Sequence, residues 1–285
     1  VAAARGAALS ASGRIREGDE ALESAVELAR AARDLRTEAL ALQRLGRNAL
    51  DRNRPVRARS FHDAALLLAR RLGDRLLEAD VTVRLAELHH VSDQPDDAAQ
   101  ALERASAIHR GLGDRAGEGR CLVLLGELGL VGEQPLRARR SLDAALEIAL
   151  RLHDPHLEAC ARWRLGDLYV QLGHHGSGRR HLEQSIARAE AVGDLELQGG
   201  ALATLCELAF AEGDPAAGRE LADRAEALLA AASLRAELVG LLDRLAELEL
   251  AEGRHERAEE LAARARREAE LSRMDGEATL VRRWT

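Results

Sequence analysis

Acidic residues recur at intervals of 40 in this 285-residue chain, as Glu87, Glu127, Asp167, Glu207 and Glu247. Brought to one surface, five such carboxylates would attract a basic or amine-bearing segment. Three of them are preceded by an arginine at helical i,i+3 spacing, Arg84, Arg164 and Arg244, so the charges can also neutralise one another locally. For catalysis the chain offers little. It contains no lysine and therefore no phosphate-cradling Gly-Lys-Ser/Thr loop, and neither His-Glu-x-x-His nor Gly-x-Ser-x-Gly occurs. Gly199 and Gly200 lie within a helical repeat, where a dinucleotide loop does not belong. The histidines at 89/90, 153/156 and 174/175 with His181 fall mostly at loops or helix ends without an organised Cys or carboxylate set, so no metal and no cofactor are expected. Cys121, Cys160 and Cys206 share no repeat position and are odd in number, which argues against a disulfide framework and for a reducing compartment.

The elements that must position these residues follow from the same period. Asp stands at 34, 74, 114, 154 and 194, Leu at 45, 85, 125, 165, 205 and 245, and Pro at 55, 95, 135 and 215. Self-similarity at this length marks a solenoid, whose units bury their apolar faces only by stacking. In the unit 34–73, Asp34 starts helix A as its N-cap, and Glu38 in the first turn complements the helix dipole. Ala39, Leu42, Leu45, Gly46 and Ala49 then keep helical spacing as far as the polar stretch at 51–53. Pro55 suits the first turn of helix B, and Gly73 closes it before the next Asp. Two helices of about 17 residues with short turns account for the 40.

Small residues form a second ladder. Gly46, Ala86, Gly126, Gly166, Cys206 and Ala246 follow the periodic Leu. Helix B adds Ala58, Ala98, Ala138, Gly178, Gly218 and Ala258, then Ala65, Ala105, Ala145, Ser185, Ala225 and Ala265, with a large residue at Leu102, Leu142 and Leu182 that slides to Leu221 and Leu261. This pattern resembles the tetratricopeptide repeat, in a form six residues longer than usual. The family's aromatic four residues after the Leu remains only as Tyr169. The resemblance implies an all-α, right-handed α-solenoid of antiparallel helix pairs. The expected array has about six full repeats, at 34–73, 74–113, 114–153, 154–193, 194–233 and 234–273, and partial ones at 1–33 and 274–285. The absence of an initiator Met and the half-repeats lead us to expect a piece of a longer protein.

In tetratricopeptide arrays the A helices line the concave face, and the positions two before, one before and two after the periodic Leu point into it. Carried over, the resemblance implies a peptide groove containing Val83, Arg84, Glu87, Val123, Glu127, Trp163, Arg164, Asp167, Glu207 and Glu247, with Arg120 expected beside Arg84 and Arg164 around the Trp163 site. Trp163 would be its apolar anchor, or would pack on the neighbouring A helix with the small Ala203 leaving it room. The family's carboxylate clamp needs Lys and Asn, which these positions lack. Long repeats with this Gly-Asp junction look like those of bacterial signalling proteins, where the array sits beside a kinase, a STAND-type ATPase or a DNA-binding domain.

Composition sets the outer limits. Hydrophobic residues make up 46% and aromatics 2%, so the core must be built from Leu, Ala and Val. A net charge of −7 without a basic block excludes an electrostatic footprint for nucleic acid. No signal peptide or transmembrane run is evident, and a cytoplasmic location is expected. The expected function is a non-enzymatic protein- or peptide-binding module, the sensor or adaptor arm of a larger bacterial regulator. Its partners would be a basic peptide or protein and the flanking domains of its own chain. The alternative is a structural scaffold or self-association module with no groove ligand.

Overall fold

The computed structural model describes residues 2–11 and 14–274, and the expected start of a further unit at 275–285 lies outside them. Among the described residues there are fourteen helices and no strand. They are α1 (Ala2–Ala11), α2 (Ile15–Ala32), α3 (Leu35–Asp51), α4 (Pro55–Leu72), α5 (Arg75–Val91), α6 (Pro95–Leu112), α7 (Arg115–Val131), α8 (Pro135–Leu152), α9 (Pro155–Gln171), α10 (His175–Val192), α11 (Leu195–Ala211), α12 (Pro215–Ala231), α13 (Arg235–Ala251) and α14 (His255–Met274). Odd-numbered helices are the A helices of the repeat and even-numbered ones the B helices. The chain forms two compact units, one up to Cys121 and one from Leu122 onward, with the boundary inside α7. None of the described helices is long and apolar enough to cross a membrane.

Local signals fix the boundaries. The Asp34, Asp74, Asp114, Asp154 and Asp194 carboxylates each accept the amide N–H three residues on, at 2.9 to 3.1 Å. Pro55, Pro95, Pro135 and Pro215 open their helices at the first turn, where no N–H is needed. Gly73 ends α4 in the left-handed region at φ 65°, and Arg33, His153 and Ser233 adopt the same conformation at the equivalent junctions without glycine's freedom.

The recurrent Glu of the first A-helix turn does more than complement a dipole. Glu38, Glu78 and Glu118 are buried, and each pairs with the arginine eight residues earlier, in the last turn of the preceding B helix. These pairs are Arg30–Glu38 at 2.7 Å, Arg70–Glu78 at 3.1 Å and Arg110–Glu118 at 2.6 Å. Glu158, which lacks that arginine, pairs instead with Arg162 at 2.7 Å and Arg188 at 3.1 Å. Helix pairs are thereby joined by charge as well as by apolar packing.

Within each pair the small residue after the periodic Leu admits a large residue of helix B. A Cβ on Gly126 would lie 2.4 Å from Leu142, which is fully buried against Leu165 and Leu168. In both units an A helix packs on the A helix of the next repeat as well as on its own B helix. Within each unit, comparable packing between successive B helices is absent among the described residues. The A helices therefore form the inner face of each unit.

Candidate functional site

In the unit from Leu122 onward the inner face is built by α7, α9, α11 and α13, and one arginine organises its first half. Arg164 of α9 reaches back to Glu127 of α7 and also bonds Asp167, one turn on, at 3.2 Å. Asp167 in turn accepts the Thr204 hydroxyl of α11 at 2.7 Å. Thr204 accepts the Trp163 indole N–H at 3.2 Å, and the Arg164 guanidinium lies 3.9 Å above the Trp163 ring. Three A helices are joined by this closed set of donors and acceptors.

Its electrostatics follow from burial. Withdrawal from water pushes the Asp167 carboxyl up to about 6, more than the Arg164 attraction and the Thr204 hydrogen bond bring it down. Burial opposes the charge on Arg164, but Glu127 and Asp167 more than offset it and hold its pKa above the ordinary arginine value. Arg244 repeats the motif one period pair later, at 3.2 Å from Glu207 of the preceding A helix and 2.8 Å from Glu247 of its own. Here the side chains face solvent. Glu247 is 68% and Arg244 47% exposed, against 10% for Glu127 and 14% for Arg164. The acidic row thus has a buried half, fixed by Arg164, and an accessible half at Glu207 and Glu247.

The expected site residues divide accordingly. Glu127, Trp163, Arg164 and Asp167 do come together, in a structural network. Val123 is buried in a cluster with Ala145, Ile148 and Leu157 and is core, so the groove surface does not include it. In the unit up to Cys121, Arg84 bonds Glu87 at 2.6 Å, Val83 is half-buried and Arg120 is exposed. All five carboxylates of the row therefore have an arginine partner, and the i,i+3 pairs readable in the sequence are formed. What sequence reasoning missed was the second arm of each bridge, from Arg164 and Arg244 to the preceding repeat.

Trp163 rests on the neighbouring A helix, α11. The ring lies on Gly200, where a Cβ would be 2.2 Å from it. Gly200→Val is expected to evict the indole, with a loss of about 1–3 kcal/mol from overpacking. In a Trp284→Phe background, leaving Trp163 as the one tryptophan, its emission should shift to the red. An unshifted spectrum would show that the ring keeps its seat.

The thiols offer no nucleophile at neutral pH. Burial pushes Cys121, Cys160 and Cys206 each up to about 12. Among the described residues no group of three or more His, Cys, Asp or Glu is placed to hold a metal ion.

No protein-family model and no curated protein sequence matches this chain. Solved structures do. The aspartyl phosphate phosphatase F of Bacillus subtilis matches 97% of this chain and 70% of its own at 13% identity, with a TM-score of 0.77. The Rap conjugation gene regulator of plasmid pLS20, solved in complex with the Phr* peptide, matches 88% of this chain and 78% of its own at 13% identity and a TM-score of 0.67. A Signal Transduction ATPase with Numerous Domains protein with a tetratricopeptide repeat sensor, from Pyrococcus horikoshii, matches 94% of this chain and 43% of its own at 14% identity and a TM-score of 0.65. At such identities the likeness establishes fold, and the fold is that of tetratricopeptide-type helical repeats.

Proposed function

We propose that this chain is a non-catalytic, protein- or peptide-binding repeat module, the sensor or adaptor arm of a larger bacterial regulator, and that it takes a basic segment along the A-helix face. One observation carries the reading. Arg164 locks Glu127, Asp167 and the Trp163 ring into a rigid floor, while Glu207 and Glu247 beside it remain open to solvent with a single arginine between them. A rigid inner face with residual negative charge suits an extended cationic ligand, because little ordering entropy is lost on the protein side. A peptide in complex with a Rap regulator of the same fold, and a repeat sensor in the STAND protein, support the assignment of class. Up to Cys121 the corresponding positions Val83, Arg84 and Glu87, together with Arg120, would present a mixed-charge face to the same kind of ligand.

Selection of a random displayed peptide library on the immobilised chain tests this. Enriched peptides should be rich in Arg and Lys. They should bind the Glu207→Gln, Glu247→Gln double variant at least about tenfold more weakly, a change of about 1.4 kcal/mol, with helicity unchanged. Glu220→Gln, on α12, should bind as the parent does. No enrichment, or enriched peptides indifferent to the double variant, would overturn the groove reading and leave the scaffold reading standing.

A further inference from the structure

His62 occupies a place that the repeat reserves for leucine. It lies in α4 at the position held by Leu102, Leu142 and Leu182 in later B helices, and like Leu142 and Leu182 it is completely buried. Its ring lies against Gly46 of α3, so close that a Cβ there would be 2.4 Å from Cε1 and 2.6 Å from Nδ1. Neither ring nitrogen meets a hydrogen-bonding group of the protein. From α5 the charges acting on the ring are Glu87, which favours a proton, and Arg84, which opposes one, and these two are bonded to each other. From α3 the ring meets an uncharged glycine. On α4 itself the flanking Asp63 is exposed, and Arg59 is directed to His89 and Gln94 at 3.5 Å. An imidazolium at this point would be a buried cation with no counter-charge of its own, which the closed pair cannot hold.

We propose that the α3–α4 pair is an acid-releasable joint, in which uptake of a proton by His62 requires α4 to part from α3 while pairs with leucine at this position stay closed. Burial pushes the His62 ring down to about 4 in the closed form, against an ordinary value of 6.5 once it is exposed. The folded-state value is depressed, so the opened form binds the proton first. Between those two values each unit fall in pH should raise the opening equilibrium about tenfold, for a total of about two and a half orders of magnitude. Above about pH 6.5 the joint is closed and insensitive to pH.

Hydrogen exchange by mass spectrometry from pH 7 to 5, normalised to intrinsic exchange rates, tests the proposal. The reference is α12, which contains no histidine and makes none of the bonds of the Asp167 network. In the parent chain, protection of 35–72 relative to 215–231 should fall more than about tenfold over this range. His62→Leu should hold that ratio constant. His62→Gln, polar but unable to titrate in this range, should show lower protection with no pH dependence, which separates polarity from protonation. Parent protection that tracks the reference throughout, or a dependence that survives in the Leu and Gln variants, would overturn the joint.

Discussion

Replacing Arg164 by alanine should cost about 3–5 kcal/mol, because it strands two carboxylates at once in a poorly hydrated site. Glu127 loses its charged partner completely, and Asp167 keeps only the Thr204 hydroxyl. Trp163 also loses the guanidinium above its ring. The measurement is urea denaturation at pH 7 in the Trp284→Phe background, followed by circular dichroism and by Trp163 emission. Neutralising Glu127 in the same chain, as Glu127→Gln with Arg164→Ala, should recover part of the loss, since the cost arises from unpaired charge rather than from missing volume. A loss under about 1 kcal/mol would show that water reaches both carboxylates and that the network is an ordinary surface ion pair. Arg244→Ala, the solvent-exposed counterpart, should cost far less by the same argument.

Leu142→Ala should cost about 2–5 kcal/mol. The side chain is fully buried between Gly126 on its own A helix and Leu165 and Leu168 on the next, so its removal leaves a cavity at the junction of two repeats. The consequence in a stacked array is specific. Each unit is stabilised only by its neighbours, so the loss should appear as early exchange in α7–α10 and a broadened transition rather than as a uniform drop across the chain. Hydrogen exchange that weakens equally in α11–α14 would show that the helices melt as one cooperative body. Leu142→Ile, conserving volume, should cost less than about 1.5 kcal/mol.

The two substitutions probe different parts of what could be read beforehand. Leu142 was legible because it falls in a period-40 ladder, and its partner Gly126 falls in another. Arg164 was legible only in part. Its i,i+3 bond to Asp167 lies within one helix and needs no knowledge of packing, whereas its bridge to Glu127 spans 37 residues. The same offset recurs in Arg244 to Glu207 and Thr204 to Asp167, while Trp163 meets Thr204 at 41. A search by repeat position looks at 40 and so pairs Trp163 with Ala203 rather than with Gly200. His62 was missed for a related reason. Ladder reading collects the residues that conform, and the one repeat with a histidine in the leucine place stands out only once its burial is known.

The sequence by itself determined the helical repeat, its length, its boundaries and most of its core. These depend on short-range physics: an aspartate caps the helix that follows it, a proline fits a first turn, and apolar residues at helical spacing must find a common interior. Tertiary structure alone decided which carboxylates are spent internally, where Trp163 rests and which acidic groups remain open. Side chains on a helix lean toward its N-terminus, and adjacent helices cross at an angle, so contacts between repeats join positions that are not equivalent. Whether a charged row faces a ligand or its own arginines depends on those offsets, and they come into being only when the repeats stack.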